Sequence, residues 1–268
     1  MLKVKDIVKL MNELAPVSLA FSWDNCGLLA GSEKWAVKKI LFALDITLEV
    51  VDEAIALNAE LIISHHPLIF KPLTAITDAT MEGEILIKIL EHKIAIYAAH
   101  TSLDAAENGV NDVLCKLLDL KNVIGLDKYT SSDGLSVVSC GRVGELSSEM
   151  TFQAFCDFAQ EKINTPNIRC CGDNNRSVKK IAICGGAGDS LSEDAISAAA
   201  DVFLSGELKY HTALKLKEKN ICFVEAGHYY TECPVLKELI TNLQNKLNML
   251  QYNVMLIESL IKTDPYNY

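Results

Sequence analysis

Residues 38–70 read KKILFALDITLEVVDEAIALNAELIISHHPLIF. The segment 38–47 has the look of a strand, 48–59 carries a helical pattern, and LIIS at 61–64 is apolar again. Short, continuous apolar runs are the pattern of strands buried on both faces of a parallel sheet. A strand, a helix and a second strand make one βαβ unit. Its crossover is right-handed, so successive strands end at the same sheet edge, and ligand sites in such sheets lie at that edge. The second strand runs into His65 and His66, and Pro67 stops it. Two adjacent imidazoles there are either a turn that carries histidines or two side chains that each bind a metal ion.

The same grammar continues outward. GEILIKILEHK (83–93) is helical, IAIYAA (94–99) is a strand, and GVNDVLCKLLDL (109–120) is helical. A polar break, DKYTSSDG (127–134), reads as a junction. Beyond it LSVVSCGRV reads as a strand and SSEMTFQAFCDFAQEKI as a helix with serine capping. NIRCCG, KKIAICGG, DVFLSGE and ICFVEAGH read as strands, with SEDAISAAA and TALKLKEKN as helices between them. PVLKELITNLQNKLN is helical, with Pro234 near its first turn, and YNVMLIES closes as a strand. The expected fold class is α/β: two related three-layer α/β domains, residues 1–126 and 127–268. The C-terminal segment from about 229 either stays with the second domain or packs back onto the first.

The chain has 268 residues, half of them hydrophobic and 22% charged, which points to a sizeable core. A formal charge of −10 disfavours non-specific binding to nucleic acid, although a local basic groove stays open. The nine cysteines form no CxxC pair, and Cys184 and Cys222 sit inside apolar strands. That is the usage of a reducing cytoplasm. MLKVKDIVKLMNEL has the pattern of an amphipathic helix and not of a signal peptide. No apolar run approaches the roughly 18–20 residues that span a bilayer. A soluble cytoplasmic protein without a membrane partner is expected.

Three segments end an apolar strand and then present ligand-type side chains. The first is Ser64-His65-His66, the second carries His100 and Asp104, and the third carries His228 and Glu232. A histidine four residues before a carboxylate shares a face with it where the chain turns helical. Imidazole and carboxylate together suit zinc, manganese, iron or nickel. Five or six ligands exceed the need of one tetrahedral zinc, and a carboxylate shared by two ions would use them economically. A lone histidine at a strand end is usually structural. Three such segments holding four of the six histidines favour metal. His92 reads as solvent-facing. Glu207, Lys209 and His211 either line the rim or lie on a helix surface. CGGAGDS (184–190) lies between a strand and a helix and reads as a plain tight turn rather than a phosphate-binding loop, since it lacks the Walker lysine. FSWDNCGLLAGS (21–32) is a capped turn or a loop over the site. Asp45 either touches the site or caps a helix.

With SWDNCGLLAGS, ISHHPLIF, HTSLDAAENGVND, CGGAGDS, LSGELKYH and EAGHYYTE in this order, the sequence closely resembles the Nif-three-like dinuclear metal-centre family. Its members often carry the label GTP cyclohydrolase I type 2 homologue. The resemblance covers essentially the whole chain. It implies two α/β domains with a pair of divalent ions between them, held by His65, His66, Asp104, His228 and Glu232, with Glu232 as the bridge. His100 would then neighbour the metals and serve proton transfer, alongside Glu232, in catalysis. It also implies a ring-shaped homohexamer. The label implies a hydrolase that opens the guanine ring of GTP, or that acts on a related nucleotide or phosphorylated compound. The competing readings are a non-catalytic metal-holding ring that engages a protein or nucleic-acid partner, and a metal store.

Overall fold

A computed structural model describes residues 1–267. The fold is mixed α/β, and the chain divides into two compact units. The first takes in Met1–Glu107, Ser131–Asp133 and Leu236–Asp264; the second takes in Asn108–Thr130, Gly134–Val235 and the residues from Pro265.

At the centre of the first unit, strands Lys39–Ala43, Leu61–Ser64 and Ala95–Ala98 run parallel. The closing strand Met255–Glu258 pairs parallel with Lys39–Ala43, so the C-terminal strand belongs to this sheet. The other edge is Gly27–Ala30, antiparallel to Ala95–Ala98 and bulged between Leu28 and Ala30. The sequence pattern missed this strand; its identity as a strand comes from the partner it lies against. Helices Leu48–Leu57 and Met81–Glu91 lay Val50, Val51, Ala54, Ile85, Leu86 and Ile89 against Leu41, Ala43, Ile62 and Ile96. The alternate positions Ile40, Phe42, Ile63 and Tyr97 are also fully buried, so both faces of the sheet are covered. That double burial is why these strands read as unbroken apolar runs.

Helix Leu48–Leu57 is capped by Thr47, whose hydroxyl accepts from the Val50 amide, and it stops at Asn58 in the left-handed region. Asp45 is therefore not the cap. Helix Val4–Leu14 buries Val4, Ile7, Leu10 and Met11 at the spacing of one helical face.

In the second unit six strands lie in the order Lys121–Gly125, Arg142–Thr151, Ser177–Ala187, Val202–Glu207, Cys222–Glu225, Arg169–Cys171. The three centred on Val202–Glu207 are parallel and the outer pairings are antiparallel. Helices Val110–Leu117 and Phe152–Ile163 bury Leu114, Phe152, Phe155 and Ala159 against Ile181, Ile183, Val202 and Leu204. One sequence reading is corrected here. Ser147–Met150 are strand and not helix, because Met150 and Thr151 pair with Val178 and Ser177. The helix cap is then Thr151, which accepts from the Ala154 amide, in place of a serine. The polar stretch 127–134 contains Tyr129–Thr130, which forms a small hairpin ladder with Val137–Val138. All nine cysteines are free thiols. No helix among the described residues is long and apolar enough to cross a membrane.

Candidate functional site

In the first unit the parallel strands end level, with Ala43 beside Ser64 and Ser64 beside Ala98. The ladder continues one step further: the His65 and His66 amides donate to the carbonyls of Ala43 and Leu44, and the Ala99 amide donates to that of Ser64. Backbone pairing therefore fixes where His65, His66 and His100 leave the sheet edge. Their rings gather, with centroids 5.0 Å apart for His65 and His66, 5.2 Å for His65 and His100, and 5.5 Å for His66 and His100. Each offers a ring nitrogen within 4.8 Å of the others, a spacing that could hold a metal ion.

The second nitrogen of each ring determines what the first can do. His65 Nδ1 lies 2.8 Å from the Ala99 carbonyl, His66 Nδ1 2.7 Å from Asp45 Oδ1, and His100 Nδ1 2.9 Å from Asp24 Oδ1. All three partners are acceptors, so each Nδ1 carries the proton. A neutral ring in that tautomer has its lone pair on Nε2. Imidazoles that bind metals are commonly held this way, with the other N–H given to a carbonyl or carboxylate. Asp45 is itself held, since its Oδ2 accepts from the Thr263 hydroxyl.

Asp24 is the most heavily used of these partners. Its carboxylate also accepts from the Asn25 amide, the Thr101 amide and hydroxyl, and the Cys26 thiol. Burial opposes its ionisation, but His100, Thr101 and Cys26 outweigh that and hold the carboxyl well below the usual carboxylate range. Burial pushes the neighbouring Cys26 thiol up to about 11. Asp104 sits on the short helix Thr101–Ala105, buried, with Oδ1 3.6 Å from His65 Nε2.

In the second unit the short helix His228–Glu232 places its two candidate ligands one turn apart, with His228 Nε2 3.1 Å from Glu232 Oε2. The four-residue spacing thus does act on a helix. Glu232 is buried, and His228 Nδ1 faces Glu207 Oε1 at 3.5 Å. Two glycines make room for this helix. A Cβ on Gly186 would lie 2.1 Å from Glu232 Oε1, and one on Gly206 would lie 2.9 Å from His228 Cα. Gly186 also has φ +63°, where glycine is at ease. Its amide donates to Thr231 Oγ1, which in turn donates to the carbonyls of Gly227 and His228. The CGGAGDS segment is thus a close-packed support for His228 and Glu232. A pocket of about 230 Å³ opens beside His228, lined by Glu207, Arg169 and Tyr266 among others.

Of the rim residues expected from sequence, Glu207 reaches His228. Lys209 and His211 are exposed; His211 makes an edge contact with Tyr210, and the Lys209 amide donates to Asp189. His92 is exposed, with Nδ1 on the Lys88 carbonyl. The sequence left the Asp24 segment open between a capped turn and a loop over the site, and Asp45 between touching the site and capping a helix. Nothing local marks them as partners of histidines far along the chain.

These features define an α/β protein with a gathered set of imidazoles that could hold a metal ion. The chain belongs to the Duf34/NIF3 (NGG1p interacting factor 3) family, whose model matches residues 2–265. A relative from Clostridium acetobutylicum, called GTP cyclohydrolase 1 type 2 homolog, is 34% identical over 271 residues, covering 100% of this chain and 99% of the relative. A crystal structure of a Bacillus cereus protein related to NIF3 is similar with a TM-score of 0.92 at 27% identity, covering 100% of this chain and 99% of that one. A Staphylococcus aureus hypothetical protein matches with a TM-score of 0.90 at 35% identity, covering 99% of each chain.

Proposed function

We propose that the chain is a metal-dependent hydrolase of the GTP cyclohydrolase 1 type 2 homolog kind, acting on GTP or a related nucleotide. The observation that carries this reading is the common tautomer of the three imidazoles, each fixed through Nδ1 by Ala99, Asp45 or Asp24. The donor set fits divalent zinc, manganese, iron or nickel. His65, His66, Asp104, His228 and Glu232 would hold two such ions. Ions of this kind supply Lewis acidity and lower the pKa of water.

The remaining tasks fall to the chain itself. His100 moves the proton: its Nδ1 stays committed to Asp24, so exchange takes place at Nε2. Asp45 and the Ala99 carbonyl hold the planes of His66 and His65. Glu207 orients His228 from the Nδ1 side. The names of the curated relatives support GTP as the first substrate to try.

The test is GTP turnover by protein loaded separately with zinc, manganese and iron, with products identified by mass and Glu232→Gln run alongside. Formate and a ring-opened guanine product, absent with the variant, is the expected result. Phosphate release alone would replace the cyclohydrolase chemistry by general nucleotide hydrolysis. Protein that holds two ions and yields no product with any metal would overturn the hydrolase reading in favour of a metal-holding scaffold.

A further inference from the structure

Beside the imidazole cluster lie two large aromatic side chains that the fold leaves open. Trp23 is 58% exposed and Phe70 46% exposed. Single exposed aromatics are ordinary on protein surfaces. These two differ in being paired, anchored and adjacent to the cluster. Their rings meet edge-on, with centroids 6.0 Å apart at 63°. Each also meets the His100 ring, at 6.4 Å and 72° for Trp23 and 6.4 Å and 77° for Phe70. Phe21 stacks nearly parallel on Trp23, at 5.4 Å and 15°, and so backs the indole from one side.

The two rings come from separate loops that are tied together next to the aromatic residues. Asp24, directly after Trp23, is bonded to His100 and Thr101. Asn25 Nδ2 donates to the carbonyl of Ile69, directly before Phe70. The arrangement is therefore set before anything binds, and a ligand that uses it need not order the loops.

We propose that Trp23 and Phe70 form a platform for a planar heteroaromatic ring, a purine base foremost, and seat that ring beside His100. Phe21, Trp23 and Phe70 carry no charge, so a phosphate gains nothing from them, whereas the π face of a base does. Stacking of a base on an aromatic side chain tolerates many ring types. The tilted contacts with His100 continue the same kind of ring-edge packing. The inference rests on the nucleotide reading above and adds to it the part of the substrate that this face would receive.

The two tryptophans of the chain are Trp23 and Trp35, so Trp35→Phe leaves Trp23 as the sole indole fluorophore. Zinc-loaded full-length protein carrying that change is titrated with guanosine and, separately, with ribose 5-phosphate. Saturable quenching by guanosine and none by ribose 5-phosphate is expected. Phe70→Leu in the same background should weaken guanosine binding about tenfold. Trp23→Leu, read by calorimetry and checked for native circular dichroism, should do the same. No saturable binding of guanosine by the parent, equal quenching by ribose 5-phosphate, or unchanged affinity in both variants would each overturn the platform. Guanosine binding with no GTP turnover would keep the platform and remove the hydrolase. Turnover with unchanged binding in both variants would do the reverse.

Discussion

Asp24 Oδ1 and His100 Nδ1 lie 2.9 Å apart, and the side chain of Asp24 has no solvent exposure. A buried carboxylate is tolerated only where donors surround it. Here those donors are an imidazole, two backbone amides, a hydroxyl and a thiol. Asp24→Asn would turn one acceptor oxygen into a donor that faces other donors. Unfolding in urea should show a loss of roughly 2 kcal/mol, within the cost of leaving buried polar groups unsatisfied. Wild-type stability in the variant would mean that the 21–26 loop is held by other contacts.

Asp45 acts on His66 from behind, through Nδ1. Asp45→Ala frees that ring to rotate and lowers its basicity. Affinity for zinc, measured by competition with a chromophoric chelator, should fall roughly 10- to 100-fold while the fold is kept. An unchanged affinity would mean that Asp45 does not tune His66 as a ligand.

Gly186 tests the support under Glu232. Alanine there would place a methyl 2.1 Å from Glu232 Oε1 on a residue with φ +63°. The clash and the backbone strain together should cost about 1–3 kcal/mol. Gly186→Ala should melt at a lower temperature and bind less metal per chain, read by calorimetry and elemental analysis. Gly134 also has positive φ, but a Cβ there would meet nothing within 4 Å. Gly134→Ala therefore shows the backbone strain without the clash, and should leave metal content unchanged.

The thiols should react in an order set by burial. Cys170 is exposed, whereas Cys115 and Cys156 are buried. Burial pushes the Cys115 thiol up to about 12 and also raises that of Cys156. The thiolate is the reactive form. Iodoacetamide at pH 8 should therefore label Cys170 in native protein and reach Cys115 and Cys156 only after unfolding, as followed by peptide mass spectrometry. Early labelling of Cys115 would mean that the helix Val110–Leu117 opens readily.

Much of the architecture was legible in the residue order. Residues 40–43, 61–63 and 95–98 form unbroken apolar runs at the cores of three strands, and only strands covered on both faces require that. The amphipathic spacing of Val4, Ile7, Leu10 and Met11 marked a helix in the same way. Adjacent imidazoles at His65 and His66, and the two His-to-carboxylate spacings, pointed to the candidate ligands, because a strand end or a helix turn is a local feature that neighbouring residues specify.

Tertiary structure decided what depends on partners far along the chain. Gly27–Ala30 is a strand because Ala95–Ala98 offers an edge, and Ser147–Met150 extend a strand because the neighbouring strand pairs with them. Residues 255–258 joined the first sheet by pairing with Lys39–Ala43, a choice that their own apolar pattern left open. Above all, the tautomer of His100 is set by a carboxylate 76 residues away, and that of His66 by one 21 residues away. Hydrophobic periodicity records which face of an element is buried. It carries no information about which acceptor a ring nitrogen will meet, since that depends on strand register and loop path, and only the folded chain fixes both.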